Sequence, residues 1–474
     1  MKVEIHNLGV INSASIELKP LTVFIGENST GKTWAAYTLS AILGQHGYQK
    51  YLKAFSEGKT QQTYPPLDHA ISHLLDDGNA QIDLVQFAKD YAEAYFNDVA
   101  SLAPRWMQTL MATKRVTFEP LQVHVNLAQS KTAFLEKITA TAIERQLSVG
   151  SHRQGALLNA LKEAGETTLY FYSEGEALKK LPHRAVKKFM AAQLFQTIHR
   201  SLYSDVYILP TERTGFIISP LSLEQAFEET ETAHEQYSAS KISVDKNLGN
   251  LAEPVKRFVG MIGTSATTNV AERNEQLNDN PQMSAYVKLA AFLETEILRG
   301  QVDFETFGLQ KELLFQPLDN SCKLEMSVVS AMVKELAPLV LCLRYLVEPN
   351  DWIIIDEPEM NLHPAVQVEL IEFLGMLVNA GLQVLITTHS PYIVDHLANL
   401  ITAAKHDNKD KIKELFYLEQ TDAFVSQEQT SVYQFDKGTT RNIIDEEGIL
   451  DWSTFGDVSS DVSHIYPHLL PAMN

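Results

Sequence analysis

Apolar and polar positions follow two regimes along the chain. At the N-terminus, VEIHNLG (3–9), SIELKP (15–20) and LTVFI (21–25) carry β-branched residues around a turn at Gly9, which predicts short strands over 2–9 and 15–25. WAAYTLSAIL (34–43) follows as an apolar, turn-free segment of helical length. From about Gln45 to Arg200 the period changes. ALLNALKEAG (156–165) and HRAVKKFMAAQLFQTIHRSLY (183–203) place apolar residues three and four apart, which predicts packed amphipathic helices. Sustained heptads are missing, so the stretch reads as a helical lobe rather than a coiled-coil arm.

A strand returns at DVYIL (205–209), and residues 221–300 are again helical and acidic, beginning with EQAFEETETAHEQ. ELLFQPLDNSCKLEMS (312–327) predicts a hairpin turning at Asp319-Asn320, and VVSAMVKELAPLVLCLRYLVE (328–348) a long helix. WIIIDEP (352–358) is a buried strand, residues 364 to about 380 a helix, and LQVLITTHS (382–390) a second buried strand. Continuous apolar strands alternating with helices predict an α/β fold with a parallel or mixed sheet covered on both faces. Residues 401–474 are mixed and acidic and give few signals.

A length of 474 residues exceeds what one core supports, so two or three units are expected. With 45% apolar and 21% charged residues the composition is that of a soluble globular protein. No run of about eighteen apolar residues occurs, and MKVEIHNLGV lacks a leader pattern, so a cytoplasmic location and no membrane contact are expected. Cys322 and Cys342 are too few for a disulfide framework or a cysteine zinc site. The net charge of −20 argues against indiscriminate nucleic-acid binding. It is uneven, however: residues 34–205 hold 18 Lys and Arg against 16 Asp and Glu, a net of +2, leaving −22 for the rest.

Three short motifs carry chemistry. Gly26-Glu27-Asn28-Ser29-Thr30-Gly31-Lys32-Thr33 fits G-x-x-x-x-G-K-[ST] between a strand and a helix. The glycines let successive N–H groups turn inward, and the helix N-terminus adds its positive end. Lys32 would then reach the β- and γ-phosphates, and the Thr33 hydroxyl would ligate Mg²⁺, making ATP and Mg²⁺ the expected cofactors. The bland alternative is a plain turn. After the apolar Ile353-Ile354-Ile355, Asp356 is placed to hold Mg²⁺ through water and Glu357 to polarise an attacking water. A solvated acidic turn is the competing reading. His389, at the polar end of LITTHSP, is a candidate γ-phosphate contact, though a lone histidine there is ordinarily a surface residue.

GENSTGKT, DEPEMNLHP and ITTHSPYIV together resemble ABC-type ATPase heads, and within them the overcoming-lysogenization-defect (OLD) family and its AAA-type relatives. The resemblance covers residues 1–45 and about 200–400. It implies a discontinuous head of those two segments, an inserted helical domain over 46–199, a second helical lobe at 221–300, and the end of the head with a tail at 401–474. It also implies two ATPs sandwiched between two subunits, hence at least a homodimer, with Asn361-Leu362-His363-Pro364 as the loop crossing the seam. The Leu-Ser-Gly-Gly-Gln signature of transporters is replaced by Val329-Ser330-Ala331-Met332-Val333-Lys334-Glu335-Leu336. Ser330 is the candidate for the hydroxyl reaching a partner's γ-phosphate, with a simple N-cap as the alternative. Arg213, in Pro-Thr-Glu-Arg-Thr-Gly, would sense phosphate or brace the insert, or form only a surface ion pair.

Nuclease members of that family carry a metal-dependent domain with Asp-x-Asp, which residues 401–474 lack. Relatives without it include the ATPases of the Septu and PARIS anti-phage systems, which act with a separate effector protein. The expected function is therefore an ATP-hydrolysing sensor acting with a nuclease or toxin, with nucleic acid as a further candidate partner. The alternative is a RecF/SMC-like repair ATPase that clamps DNA directly, and a transporter subunit ranks third.

Overall fold

The computed structural model describes residues 1–147, 157–173, 178, 181–218, 251–307, 310–319, 322–445 and 448–450. The strands in chain order are β1 (Lys2–Leu8), β2 (Ile11–Glu17), β3 (Leu21–Ile25), β4 (Asn79–Asp83), β5 (Gln122–Asn126), β6 (Ile143–Leu147), β7 (Leu158–Lys162) and β8 (Thr168–Tyr172). They continue with β9 (Val206–Leu209), β10 (Gly300–Phe307), β11 (Gln310–Pro317), β12 (Leu324–Glu325), β13 (Trp352–Asp356), β14 (Gln383–Thr388), β15 (Thr430–Asp436) and β16 (Thr439–Asn442). The helices are α1 (Lys32–Leu43), α2 (Gln45–Ser56), α3 (Pro65–Asp77), α4 (Leu84–Ser101), α5 (Ala103–Leu110), α6 (Lys131–Ala140) and α7 (His183–Arg200). After them come α8 (Arg213–Ile218), α9 (Glu253–Thr267), α10 (Val270–Asp279), α11 (Pro281–Phe292), α12 (Ala331–Tyr345), α13 (Pro364–Asn379) and α14 (Pro391–Ala404).

The chain forms two compact units, one from residues 1–9 and 37–206, the other from 10–36 and 207–474. In the second, strands lie in the order β2-β16-β15-β3-β14-β13-β9. β15, β3, β14 and β13 run parallel. Every residue of β3 and β13 is buried, which is why both read as unbroken apolar runs: a parallel strand covered on both faces has no polar side to show. The register matters most for function. Asp356 pairs with Thr387, and Thr388 with Ile25, so β13, β14 and β3 end level with one another. Open α/β sheets bind ligands beyond such carboxyl ends.

Two parts of this unit depart from the sequence expectation. Residues 430–442, in the stretch expected to hold the end of the head and a tail but no named strand, form the β15–β16 hairpin, and β15 lies against β3 with Val432 opposite Val23. The hairpin turns at Lys437 and Gly438, both with positive φ (45° and 77°), the backbone that a tight two-residue turn requires. β10, inside no predicted strand, pairs antiparallel with β11, and β11 with β12. The β11–β12 hairpin matches the expectation, while part of its turn, with Asn320, lies outside the described residues. So does the acidic start of the 221–300 lobe; residues 253–298 are helical as read.

The first unit is not purely helical. It contains the antiparallel pair β1–β5 and a four-stranded sheet, β4-β8-β7-β6. ALLNALKEAG holds β7 instead of a helix. Leu158 and Ala160 are buried, and Lys162, also buried, donates to the carbonyls of Thr139 (2.9 Å) and Thr141 (2.7 Å). Pairing with β6 and β8 decides the matter, because a short apolar run fits either period locally. HRAVKKFMAAQLFQTIHR is the helix α7 as predicted. Its Phe195 and His199 pack with Tyr51, Tyr64, Tyr95 and Phe96 in an aromatic core. Among the described residues no helix is long and apolar enough to cross a membrane.

Candidate nucleotide site

The loop after β3 takes a conformation that few sequences permit. Gly26 has φ +145° and Gly31 φ +99°, and Ser29 is left-handed as well (φ 64°). A Cβ on Gly26 would lie 2.5 Å from the Phe435 carbonyl oxygen, and one on Gly31 2.6 Å from Ile11 Cγ1. Thus both the backbone angle and the space require glycine. The Thr30 hydroxyl donates to Glu27 O (2.9 Å) and pins the loop across its base. Glu27, Asn28 and Ser29 are exposed at its rim. α1 starts at Lys32 with no acidic residue in its first turn, leaving the positive end of its dipole unopposed.

Lys32 is 5% exposed, and its ammonium donates to the carbonyls of Gly26 (2.7 Å) and Glu27 (2.8 Å). Burial lowers its pKa, while Glu357, Asp356 and Glu359 oppose the shift. Thr33 Oγ1 donates to Asp356 Oδ1 at 2.9 Å, so the loop and the end of β13 meet through a hydroxyl and a carboxylate. Asp356 is fully buried and accepts two more hydroxyls, Thr387 on Oδ1 (2.5 Å) and Thr211 on Oδ2 (2.6 Å). A carboxylate so held keeps one orientation.

Glu357 sits at φ +48°, an uncommon angle for glutamate. Its N–H donates to the carbonyl and hydroxyl of Thr387 (both 3.1 Å). Its pKa is raised, first by burial and then by Asp356, against the pull of His389. His389 Nδ1 lies 3.7 Å from Glu357 Oε1 and 3.4 Å from Glu359 Oε1. Glu359, 6% exposed, also accepts from the Thr388 hydroxyl (2.7 Å) and the His389 N–H (2.8 Å). These contacts fix where β14 hands over to the histidine.

Arg213 stands behind this cluster rather than in the loop. It is 1% exposed; Nη1 donates to Pro210 O (3.0 Å) and Asp356 O (2.8 Å), and Nη2 to Glu357 O (3.0 Å). Its Nε lies 2.6 Å from Glu335 Oε2, both side chains 1% exposed. Thus the two readings that put Arg213 on phosphate or in a surface ion pair are replaced by a third, a buried brace under the Asp356-Glu357 turn. Glu335 in turn accepts from Asn361 Nδ2 (2.9 Å) and from the Thr214 hydroxyl.

Ser330 is exposed at the start of α12 and caps it, accepting from Val333 N–H at 3.4 Å. Among the described residues no hydrogen bond joins it to the loop. His363 likewise caps α13, Nδ1 accepting from Ala365 N–H (3.3 Å). The structure therefore gathers Gly26–Thr33, Asp356, Glu357 and His389, while the Ser330 hydroxyl is engaged in its own helix cap. Sequence reasoning missed Thr211, Thr387 and Glu359. Each lies inside a quoted motif, but their partners stand 29 to 145 positions away in the chain, so no local spacing marks them.

The donor set suits a magnesium triphosphate: a glycine-shaped loop, a buried ammonium, and a hydroxyl paired with a carboxylate. No curated protein matches the chain. Among solved structures it is similar to an Smc head bound to the C-winged helix domain of ScpA (11% identity, 93% of this chain and 96% of that one, TM-score 0.37). A second is the Smc head with an extended coiled coil bound to the C-terminal domain of ScpA, from Pyrococcus furiosus (10%, 98% and 98%, 0.35). A third is the SMC head domain from Thermotoga maritima (8%, 94% and 97%, 0.31). Scores this low say nothing about partners or activity. The AAA ATPase domain family matches residues 1–394, most of the chain and every residue of the gathered site, so the protein belongs to the AAA ATPase domain family.

Proposed function

We propose that the protein is an ATP-driven switch of the OLD-like type that serves as the sensor of an anti-phage system and acts on a separate nuclease or toxin. The carrying observation is the level ending of β3, β13 and β14, which brings Lys32, Thr33, Asp356, Glu357 and His389 to one place. In this reading the backbone of residues 26–33 and Lys32 bind the triphosphate. Thr33 and Asp356 hold Mg²⁺, which neutralises phosphate charge when bound. Glu357 orients water and accepts its proton, and His389 contacts the γ-phosphate. Ser330, exposed at a helix start, is presented to a second copy, completing the sandwich as a homodimer. ATP affinity that differs between open and closed states would then set the population seen by the effector.

Glu357→Gln tests both halves. It should bind ATP, lose roughly 10²–10⁴-fold in turnover and accumulate dimer by light scattering; wild-type turnover would exclude Glu357 as the acceptor. Cells carrying the wild-type locus should survive phage that kill cells carrying this variant, and equal survival would remove the defence role.

A further inference from the structure

The second unit holds a cavity of about 440 Å³, sharing no lining residue with the loop, between α9, α10, α11, β10, β11 and the last turn of α12. Three cations line it: Arg273, Lys311 and Arg344. Asp303 is the one carboxylate in the lining among the described residues. Arg273 is 4% exposed. It donates through Nη2 to Val347 O (2.8 Å), while its buried Nε has no hydrogen-bond partner. Lys311, exposed, donates to Ala266 O (2.5 Å). Arg344 donates to Val302 O (2.6 Å), pairs with Glu294 and lies over the ring of Tyr345. Asp303 is already engaged, accepting from Phe304 N–H (2.8 Å) and the Tyr345 hydroxyl (3.2 Å). Phe304 and Tyr345 supply flat apolar surface to the same lining.

We propose that this cavity binds a phosphomonoester carried on a flat ring, of mononucleotide size, at a site separate from the triphosphate loop. The volume lies in the range of small-ligand pockets. Two guanidinium groups and an ammonium along the lining suit a compact anion. The phenol and phenyl rings suit a base stacked beside it. Charge selects the phosphate, and the rings select what carries it.

The test uses full-length protein with Lys32→Ala, which disables the loop, and 8-azido-AMP as the probe, with cross-links mapped by mass spectrometry. Labelling is expected on peptides within 265–287 or 303–345. AMP should compete and adenosine should not. Lys311→Glu, at an exposed position, should cut labelling by roughly tenfold, the loss of one charge-assisted contact, whereas Lys311→Arg should retain it. Labelling elsewhere only, labelling unchanged by Lys311→Glu, or competition by adenosine equal to that by AMP would each overturn the site. A 5′-phosphorylated dinucleotide that competes as AMP does identifies a nucleic-acid end as the source of the phosphomonoester; failure to compete identifies the free nucleotide.

Discussion

Replacing Arg213 by methionine separates a brace from a phosphate contact. The guanidinium and Glu335 face each other at 2.6 Å with both side chains 1% exposed. Removing one partner leaves an uncompensated buried carboxylate, a change that costs about 3–5 kcal/mol. Glu335 keeps only the Asn361 amide and Thr214 hydroxyl as named donors, and neither carries charge. The carbonyls of Asp356 and Glu357 lose their donors at the same time. In a unit this large each kcal/mol moves the melting point by roughly 2 °C, so a drop of about 6–10 °C is expected. The assay is scanning calorimetry of the full chain, following the transition that MgATP raises. Neutralising the partner as well, with Arg213→Met and Glu335→Gln together, should destabilise less than the sum of the two single changes, by about 0.5–3 kcal/mol. A variant that melts within about 1 °C of wild type yet has lost ATP affinity would refute the brace and return Arg213 to the phosphate.

Two further outcomes follow from particular contacts. Gly31→Ala forces a Cβ to 2.6 Å from Ile11 Cγ1 at φ +99°, so nucleotide affinity measured by calorimetric titration should fall sharply, and unchanged affinity would mean the loop can reshape. His199 is buried, its Nε2 on Gly44 O (2.9 Å) and Nδ1 on the Tyr95 hydroxyl (3.0 Å), and burial lowers its pKa from 6.5 to about 4. The unfolded chain therefore binds the proton first: its contribution, up to about 3 kcal/mol, is present above pH 6.5 and is lost as pH falls toward 4. Urea unfolding followed at aromatic wavelengths should show that loss, and a His199→Gln variant with the same pH slope would contradict it.

The glycine loop and the two strand ends were legible because their pattern is written locally, in runs of a few residues flanked by apolar strands. What surrounds them was not. Thr211 reaches Asp356 across 145 positions, and no local pattern announces a hydroxyl needed that far away. β15 was missed for a related reason: its role beside β3 depends on register with a strand some four hundred residues earlier, and its polar Ser431 and Gln434 dilute the apolar run. β7 failed in the opposite way, since LNALK satisfies helical spacing until β6 and β8 claim it. Arg213 stands in a quoted motif, but its burial could not be read from Thr-Glu-Arg-Thr, which looks like a surface turn.

The most direct check on the whole account is calorimetric titration of MgATP into wild-type protein and Lys32→Ala. The ammonium sits beneath the loop, on Gly26 O and Glu27 O, where charge-assisted contacts of about 1.5–3 kcal/mol are at stake. The variant should bind roughly 10- to 100-fold more weakly, with circular dichroism unchanged. Equal affinity in the two proteins would mean that residues 26–33 do not hold the triphosphate.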